Sequence, residues 1–359
     1  MRRIARFENE HQANQFFRVL LGQKIDAFLE KEEEGFEIWI KNEDQITLAE
    51  KYYQNFLENK EPPPLPEGEV EQEKKEALRP PEEIPIVYAA PLSRFFIFIC
   101  AILFFVALYQ GGQMKEIKDP VFPRFLPIQQ NLLYDYPVAL IYAEELMEKY
   151  ELTKDTDVMT LPIEGQDLIQ KIRETPPWEG FYAIFTNWGE RKELLKPRLF
   201  SDIREGEVWR VVTPTILHVD FLHFLFNMLW LWLLGRMVEK NMHFLSYLIF
   251  VLVVAVITNT LQYLMTGPFF MGFSGVVSAM AGYIWVRKKK APWEIYPVDF
   301  ATLIFLWIFI FGMLALQIVA FFLEILHIVS FPLNIANTAH VSGVILGFLF
   351  GRVVKRKAI

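Results

Sequence analysis

The alternation of apolar and polar positions divides the chain into a short mixed region and a long, mostly apolar remainder. Residues 1–60 alternate short apolar runs with helical periodicity, in the order strand, helix, strand, strand, helix. This order predicts a small soluble α+β domain of βαββα type. Residues 61–91 are rich in Pro and Glu. Because such a composition cannot bury a core, we expect an extended linker there.

Six apolar segments follow the linker, and each predicts a membrane helix. They lie near residues 92–111, 221–239, 244–265, 273–286, 300–326 and 335–354. At ~1.5 Å per residue most of them can cross the ~30 Å hydrocarbon core of a bilayer, and the fourth is short for a full span. The sequence therefore predicts a mainly α, polytopic fold whose membrane domain extends over 92–359.

The connection between the first and second apolar segments is long and occupies about 112–219. It contains an amphipathic stretch at 128–152 and an aromatic stretch at 178–188. These stretches are typical either of helices that lie in the membrane interface or of a solvated insertion with its own helices. The connection 287–297 and the tail 355–357 are basic. The positive-inside rule therefore predicts cytoplasmic termini and an external long connection.

Composition and charge exclude several classes of function. The chain is 53% hydrophobic, and its single cysteine, Cys100, lies in an apolar run, so neither a disulfide framework nor a thiol pair for zinc is available. The formal net charge is −7, and the dense basic run 287–290 adjoins an apolar segment. This distribution argues against a nucleic-acid partner.

Two of the predicted membrane helices carry a face of small residues. On the fourth and sixth helices these faces consist of Ser274, Ser278 and Gly282, and of His340, Gly343, Gly347 and Gly351. Small faces let backbones approach closely, so packing along them brings Ser274 and His340 to similar depth near the outer ends of their helices. A neutral imidazole can accept the proton of a serine hydroxyl, which predicts a nucleophile and its general base. Since no carboxylate lies near either residue in the spans, we predict a dyad.

A second polar pair lies on the second predicted membrane helix. His223 and Asn227 are four residues apart, on one face near the outer end. Both side chains can donate hydrogen bonds, which suits an oxyanion hole for acyl transfer. A polar clamp between two helices is the alternative interpretation, and a lone Ser or His in a membrane helix is often a packing group.

A metal site is a further interpretation of the outer histidines. His218, His223 and His340 gather near one surface together with Asn227. This set contains no carboxylate, and the chain has neither a cysteine pair nor an HExxH motif. We therefore predict no metal and no cofactor. We assign no catalytic role to Glu324 and His327, which can snorkel or pair near the outer end of the fifth helix.

Taken together, these residues resemble the rhomboid family of intramembrane serine proteases. The resemblance extends from about residue 209 to the end of the chain. It rests on Trp209-Arg210, His218, HFLFN (223–227), Gly235, Glu239, GPFFMGFSGVV (267–277) and AHVSGVILG (339–347). It implies a six-helix rhomboid bundle with Ser274 as nucleophile, His340 as base, and His223 and Asn227 in the oxyanion hole.

The resemblance also carries expectations about substrate and setting. It implies single-span membrane proteins as substrates, cleaved near a helix-destabilised segment close to the outer surface of the bilayer. It implies a multi-pass protein of the bacterial cytoplasmic membrane. The N-terminal region with its linker is similar to the cytosolic domain of one bacterial type. Gln262 resembles a family residue thought to hold water near the dyad.

The chain departs from that bacterial type at several positions. The type carries a Tyr that packs on the catalytic His four residues after the nucleophile, and here this residue is Ser278. We hypothesise that Ser278 instead hydrogen-bonds to His340. Met271 replaces a Gly and Pro214 replaces a His, which predicts a narrower outer rim. The external loop is also much longer than in the type.

Two other classes of function fit the polar residues of the chain less well than a protease does. A catalytically inactive rhomboid-like protein that binds membrane clients would normally lack Ser274 or His340, and this chain keeps both. A channel or transporter needs polar residues across the whole membrane, whereas here they gather in the outer third. The sequence leaves open the identity of the substrates and the oligomeric state.

Overall fold

The computed structural model describes residues 2–32, 35–58, 90–114, 122–150, 160–291, 294, 296–326, 328 and 336–353. The chain divides into two compact units, Met1–Glu83 and Ile84–Ile359. The predicted linker at 61–91 lies almost wholly outside the described residues, as do His327 and parts of the long connection at 115–121 and 151–159.

The first unit contains a three-stranded sheet and two helices. Its elements are β1 (Arg2–Phe7), α1 (Glu10–Gly22), β2 (Ala27–Glu32), β3 (Gly35–Ile40) and α2 (Ile46–Glu58). The strands are antiparallel in the order β1-β3-β2, with Ile40 opposite both Arg2 and Ala27. The apolar faces of the helices and the sheet share a core that includes the fully buried Phe16 and Ile38. The predicted βαββα order is confirmed.

The second unit is helical in all its described elements. Its helices of six residues or more are α3 (Pro91–Gln113), α4 (Pro127–Leu132), α5 (Val138–Tyr150), α6 (Ile163–Glu174), α7 (Gly180–Thr186), α8 (Phe221–Asn241), α9 (Phe244–Thr266), α10 (Ser274–Lys290), α11 (Phe300–Ile325) and α12 (Asn337–Val353). Helix α8 contains a π-helical segment, Leu231–Gly235. The six predicted membrane segments correspond to α3 and α8–α12, so the predicted mainly α fold class is confirmed.

The membrane helices differ in length. Helices α3, α8, α9 and α11 are long and apolar enough to cross a bilayer. Helices α10 and α12 have 17 residues each, about 25 Å at ~1.5 Å per residue. The fourth segment is short, as predicted, and begins at Ser274. Both short helices pack mainly against protein, which relaxes the length that a lipid-facing helix needs.

Helices α10 and α12 pack with their backbones in close contact. A Cβ added at Gly343 would overlap the carbonyl oxygen of Gly275, and one added at Gly347 would overlap that of Ala279. One added at Gly282 would lie 2.6 Å from the carbonyl oxygen of Val344. Such an approach is possible only where a side chain is absent. The predicted contact between the small-residue faces is confirmed.

The described part of the insertion between α3 and α8 has a buried polar anchor. Asp135 accepts hydrogen bonds from the Tyr263 hydroxyl (2.9 Å) and from the backbone N–H groups of Ser201 and Asp202 (3.2 Å each). The guanidinium of Arg210 lies 3.3 Å from the Asp202 carboxylate. Because Tyr263 belongs to α9, this anchor ties the insertion to the membrane bundle.

Aromatic contacts extend the attachment of the insertion toward α11. The indole of Trp178 donates to the carbonyl of Tyr263 at 3.0 Å, and the Tyr182 hydroxyl donates to Glu324 at 3.1 Å. The described part of the insertion forms helices, which both sequence interpretations include. It also contacts the outer ends of α9 and α11 directly. Glu324, which was expected to snorkel or pair, is the acceptor of one of these bonds.

Candidate active site

Ser274 and His340 meet where two short helices begin. Ser274 is the first residue of α10, and His340 lies in the first turn of α12. The hydroxyl oxygen of Ser274 lies 2.8 Å from Nε2 of His340, although the two residues are 66 positions apart in the chain. His340 is buried, with 7% of its surface exposed. The close packing along Gly343 and Gly275 is what brings the two side chains within hydrogen-bonding distance.

Among the residues that the structure describes, the imidazole of His340 has one hydrogen-bond partner. Among the described residues, its Nδ1 is buried without a partner. No carboxylate therefore orients the ring in the part of the chain that the structure describes. The arrangement is a two-residue pair in which Nε2 can accept the hydroxyl proton of Ser274.

The hypothesis that Ser278 hydrogen-bonds to His340 is wrong. Nε2 of His340 pairs with Ser274, and no described group forms a hydrogen bond with Nδ1. Ser278 is buried, and its Cβ faces Gly343, where an added Cβ would lie 3.3 Å away. The hydroxymethyl group is thus small enough to let α12 approach, which explains why a small residue fits at this position.

Gln262 of α9 supports the start of the helix that carries His340. Its side-chain oxygen accepts from the backbone N–H of Ala339 at 2.9 Å, and its amide nitrogen donates to the Thr266 hydroxyl at 2.8 Å. The first N–H groups of a helix have no partner within the helix, so Gln262 satisfies one of these donors on α12. Both ends of the side chain are thus bonded to protein.

His223 and Asn227, the predicted oxyanion-hole residues, have different surroundings in the structure. The His223 ring lies against Gly272, where an added Cβ would be 2.6 Å from Cε1 of the ring. Gly272 has a φ of +128° and lies two residues before Ser274. Asn227 is buried, and its amide nitrogen donates to the backbone carbonyl of His223 at 2.8 Å. A carboxamide has two N–H groups, so one donor of Asn227 remains available.

The beginning of α10 adds backbone donors at the same place. The first N–H groups of this helix, starting at Ser274, have no acceptor within the helix and carry the positive end of its dipole. A negative charge that develops on an oxygen beside Ser274 would be stabilised by them.

His218 lies next to this site without joining the pair. Its ring centroid is 5.4 Å from that of His223, and its side chain is buried. Burial, and to a lesser extent the neighbouring His223, lowers the pKa of His218 to about 3, so its ring is neutral near pH 7. Within the described residues, no group of three His, Cys, Asp or Glu side chains is arranged to hold a metal ion.

Pro214 and Met271, which differ from the family pattern, both lie in or beside the loop that precedes Ser274. The carbonyl of Pro214 accepts a hydrogen bond from the N–H of Gly272 at 2.9 Å. Met271 packs beside an apolar group of the insertion that includes Leu133, and its sulfur lies 4.0 Å from the amide nitrogen of Gln129. The loop that precedes Ser274 is therefore held by the insertion as well as by the membrane helices.

Comparison with known proteins finds two family matches in this chain. Residues 205–357 match the rhomboid domain, and residues 1–74 match the cytoplasmic N-terminal domain of rhomboid serine proteases. Helix α3 and most of the insertion lie between the two matched regions. The first match includes Ser274, His340, His223 and Asn227.

Individual relatives agree with these matches. A protein named rhomboid protease GlpG from Photorhabdus laumondii is 36% identical over 149 residues, which are 42% of this chain and 48% of the relative. The protein of the same name from Salmonella choleraesuis is 34% identical over 148 residues, 41% of this chain and 49% of the relative. The matched region thus spans about half the length of these relatives. With the two rhomboid matches in the order that the sequence predicted, this chain belongs to the rhomboid family.

Proposed function

We propose that this protein is an intramembrane serine endopeptidase that hydrolyses peptide bonds with the dyad Ser274 and His340. The observation that carries the proposal is the 2.8 Å distance between the Ser274 hydroxyl and Nε2 of His340. A serine hydroxyl is a weak nucleophile until a base accepts its proton, and this distance allows direct transfer.

The proposed reaction has two acyl-transfer steps. In the first, the oxygen of Ser274 attacks the scissile carbonyl carbon while its proton moves to Nε2 of His340. The C–N bond then breaks, the protonated His340 gives its proton to the leaving amine, and an acyl-enzyme remains. In the second step a water molecule attacks the ester, His340 accepts the water proton, and that proton returns to the oxygen of Ser274 as the acid is released.

Each step places negative charge on the former carbonyl oxygen. The N–H groups at the start of α10 and the side chains of His223 and Asn227 are the donors that we assign to this oxygen. Removing one such donor typically costs ~2.7–4 kcal/mol of transition-state stabilisation. In this proposal Asn227 contributes through its second N–H, because the first is bonded to the carbonyl of His223.

The surroundings of the dyad support membrane proteins as substrates. The pair lies at one end of α10 and α12, within a bundle whose outward faces are apolar and suited to lipid. A helical substrate hides its peptide bonds in its own hydrogen bonds, so cleavage requires a segment that unwinds easily. We therefore propose single-span proteins, cleaved near the external face of a bacterial cytoplasmic membrane in which both termini are cytoplasmic.

Labelling with a fluorophosphonate probe tests the dyad. The full chain in lipid at neutral pH should react at Ser274, S274A should not react, and H340A should react about 10²–10⁴-fold more slowly, because the general base is lost. S342A is the matched control, since the Ser342 hydroxyl donates to the Thr338 carbonyl of its own helix. Wild-type protein that fails to label, or equal labelling of S274A, would contradict the proposal.

Gln262 is expected to affect catalysis by positioning His340. Gln262→Leu removes the acceptor for the N–H of Ala339 and should slow labelling of Ser274 by about 10- to 100-fold, because small displacements of catalytic groups have effects of this size. Gln262→Glu retains an acceptor and should restore much of the rate. Thermal unfolding of both variants separates positioning from instability. If the Leu variant melts at the wild-type temperature and labels at the wild-type rate, Gln262 has no positioning role.

A further inference from the structure

Two arginines contact one tryptophan where the start of α3 meets the second half of α8. The guanidinium carbon of Arg94 lies 5.6 Å from the ring centroid of Trp232, and that of Arg236 lies 5.5 Å from the same centroid. The two positive charges therefore lie no farther apart than the sum of these distances. Arg94 is in the first turn of α3, which follows the region matched to a cytoplasmic domain. In the topology proposed above, this cluster lies at the cytoplasmic leaflet.

The positive charge of this cluster is not neutralised by the described residues. Neither guanidinium forms a hydrogen bond or ion pair with a described residue, and Nε of Arg236 is buried without a partner. The adjacent carboxylate, Glu239, accepts from the backbone N–H groups of Leu92 and Ser93 and from the Ser93 hydroxyl. Glu239 is thus committed to the start of α3, and the arginines remain available to an external anion.

An apolar groove leads away from the arginines along α3. Its first part has a volume of about 750 Å³ and is lined by Phe95, Ile97, Phe98, Ala101 and Met228, next to Arg94 and Trp232. A second part of about 470 Å³ shares Phe98 and Ala101 and continues to Tyr109. From Arg94 to Tyr109 the groove extends about 22 Å at ~1.5 Å per residue. This length exceeds the roughly 15 Å thickness of one leaflet of hydrocarbon, so the groove is long enough for an acyl chain from that leaflet.

We infer that this surface binds a phospholipid with an anionic headgroup from the cytoplasmic leaflet. The phosphate would contact the guanidinium groups of Arg94 and Arg236, and one acyl chain would lie in the groove along α3. Guanidinium groups match phosphate oxygens in geometry and charge, and paired basic residues beside membrane helices favour acidic lipids. A choline or ethanolamine headgroup is disfavoured. Its cation would be repelled by the two guanidinium groups, which already contact the Trp232 ring.

Native mass spectrometry of the full chain tests this inference. The protein in detergent is mixed with phosphatidylglycerol or phosphatidylcholine of identical acyl chains, and the lipid retained is measured. We expect wild-type protein to retain phosphatidylglycerol preferentially. Arg94→Gln and Arg236→Gln should each lower its retention about fivefold and leave phosphatidylcholine unchanged. Inorganic phosphate at millimolar concentration should not displace the lipid, because it cannot occupy the groove.

Two further variants separate this site from general surface charge. Lys289→Gln removes a cation that lies 5.0 Å from the Trp285 ring near the end of α10, away from the groove, and should leave retention unchanged. Ala101→Phe fills the point that both parts of the groove share and should lower phosphatidylglycerol retention although both arginines remain. Thermal unfolding confirms that each variant is folded. The inference is overturned if the wild type shows no preference, if the arginine variants retain lipid like the wild type, or if Lys289→Gln loses as much.

Discussion

Alanine at Gly347 is expected to disrupt the membrane bundle and with it the dyad. A methyl group at this position overlaps the carbonyl oxygen of Ala279, and the overlapped atom is backbone that cannot rotate away. Helices α10 and α12 would have to separate, and overpacking of this kind usually costs about 1–3 kcal/mol or more. Since Ser274 and His340 lie on these two helices, separation should also lengthen their 2.8 Å contact.

Gly312→Ala is the matched control for this substitution. Gly312 lies in α11, and a Cβ added there has no neighbour within 4 Å. Alanine is a better helix former than glycine, so we expect Gly312→Ala to be neutral or slightly stabilising. Thermal unfolding and the fluorophosphonate labelling rate are measured on both variants. A Gly347→Ala protein that melts and labels like Gly312→Ala would show that the helix contact tolerates a side chain.

Removal of Arg210 is expected to loosen the contact between two parts of the insertion, residues 122–150 and residues 201–210. Arg210 is buried, donates to the backbone carbonyls of Gln130 and Leu133 at 2.8 Å each, and pairs with the carboxylates of Asp202 and Glu207. The Arg210→Ala substitution leaves these two carbonyls and two carboxylates without their positively charged donor. Breaking a buried ion pair from one side usually costs about 3–5 kcal/mol. Burial already raises the pKa of Asp202, and loss of Arg210 should raise it further.

Hydrogen–deuterium exchange measures the effect of this change locally. In Arg210→Ala we expect faster exchange over 122–150, because this segment contributes the carbonyls that Arg210 binds. Arg204→Ala removes an exposed arginine from the same region and should leave exchange unchanged. Protection of 122–150 equal to the wild type in Arg210→Ala would mean that the contacts of Tyr134 with Tyr263 and Thr260 suffice to hold this segment.

The insertion illustrates the limit of prediction from periodicity. The amphipathic and aromatic patterns at 128–152 and 178–188 indicated helices, and α5 and α7 occur there. They did not indicate that Asp135 binds Tyr263 of α9, or that Tyr182 donates to Glu324 of α11. Such partners are distant in sequence, and no short-range spacing identifies them.

In the active site, too, features set by nearby residues were predictable and contacts between distant residues were not. Ser274 and His340 were predicted as a pair because each begins a face of small residues, and two such faces have one favourable way to pack. The assignment of Ser278 to His340 was wrong because it required the rotation of α12 to be known within a fraction of a helical turn. The bond from Gln262 to Ala339 likewise depends on the depth at which α9 crosses the start of α12.

For this protein the sequence by itself determined the order of elements, the six apolar helices, the small-residue contact and the two residues that face each other across it. These features follow from residue type and from periods of a few residues, which act within one element or between two matching faces. Tertiary structure decided the partners of Gln262, Asn227 and Arg210 and the arginine cluster on Trp232. A hydrogen bond or a cation–aromatic contact requires atoms placed within a few tenths of an ångström, and only the packing of all the helices determines those positions.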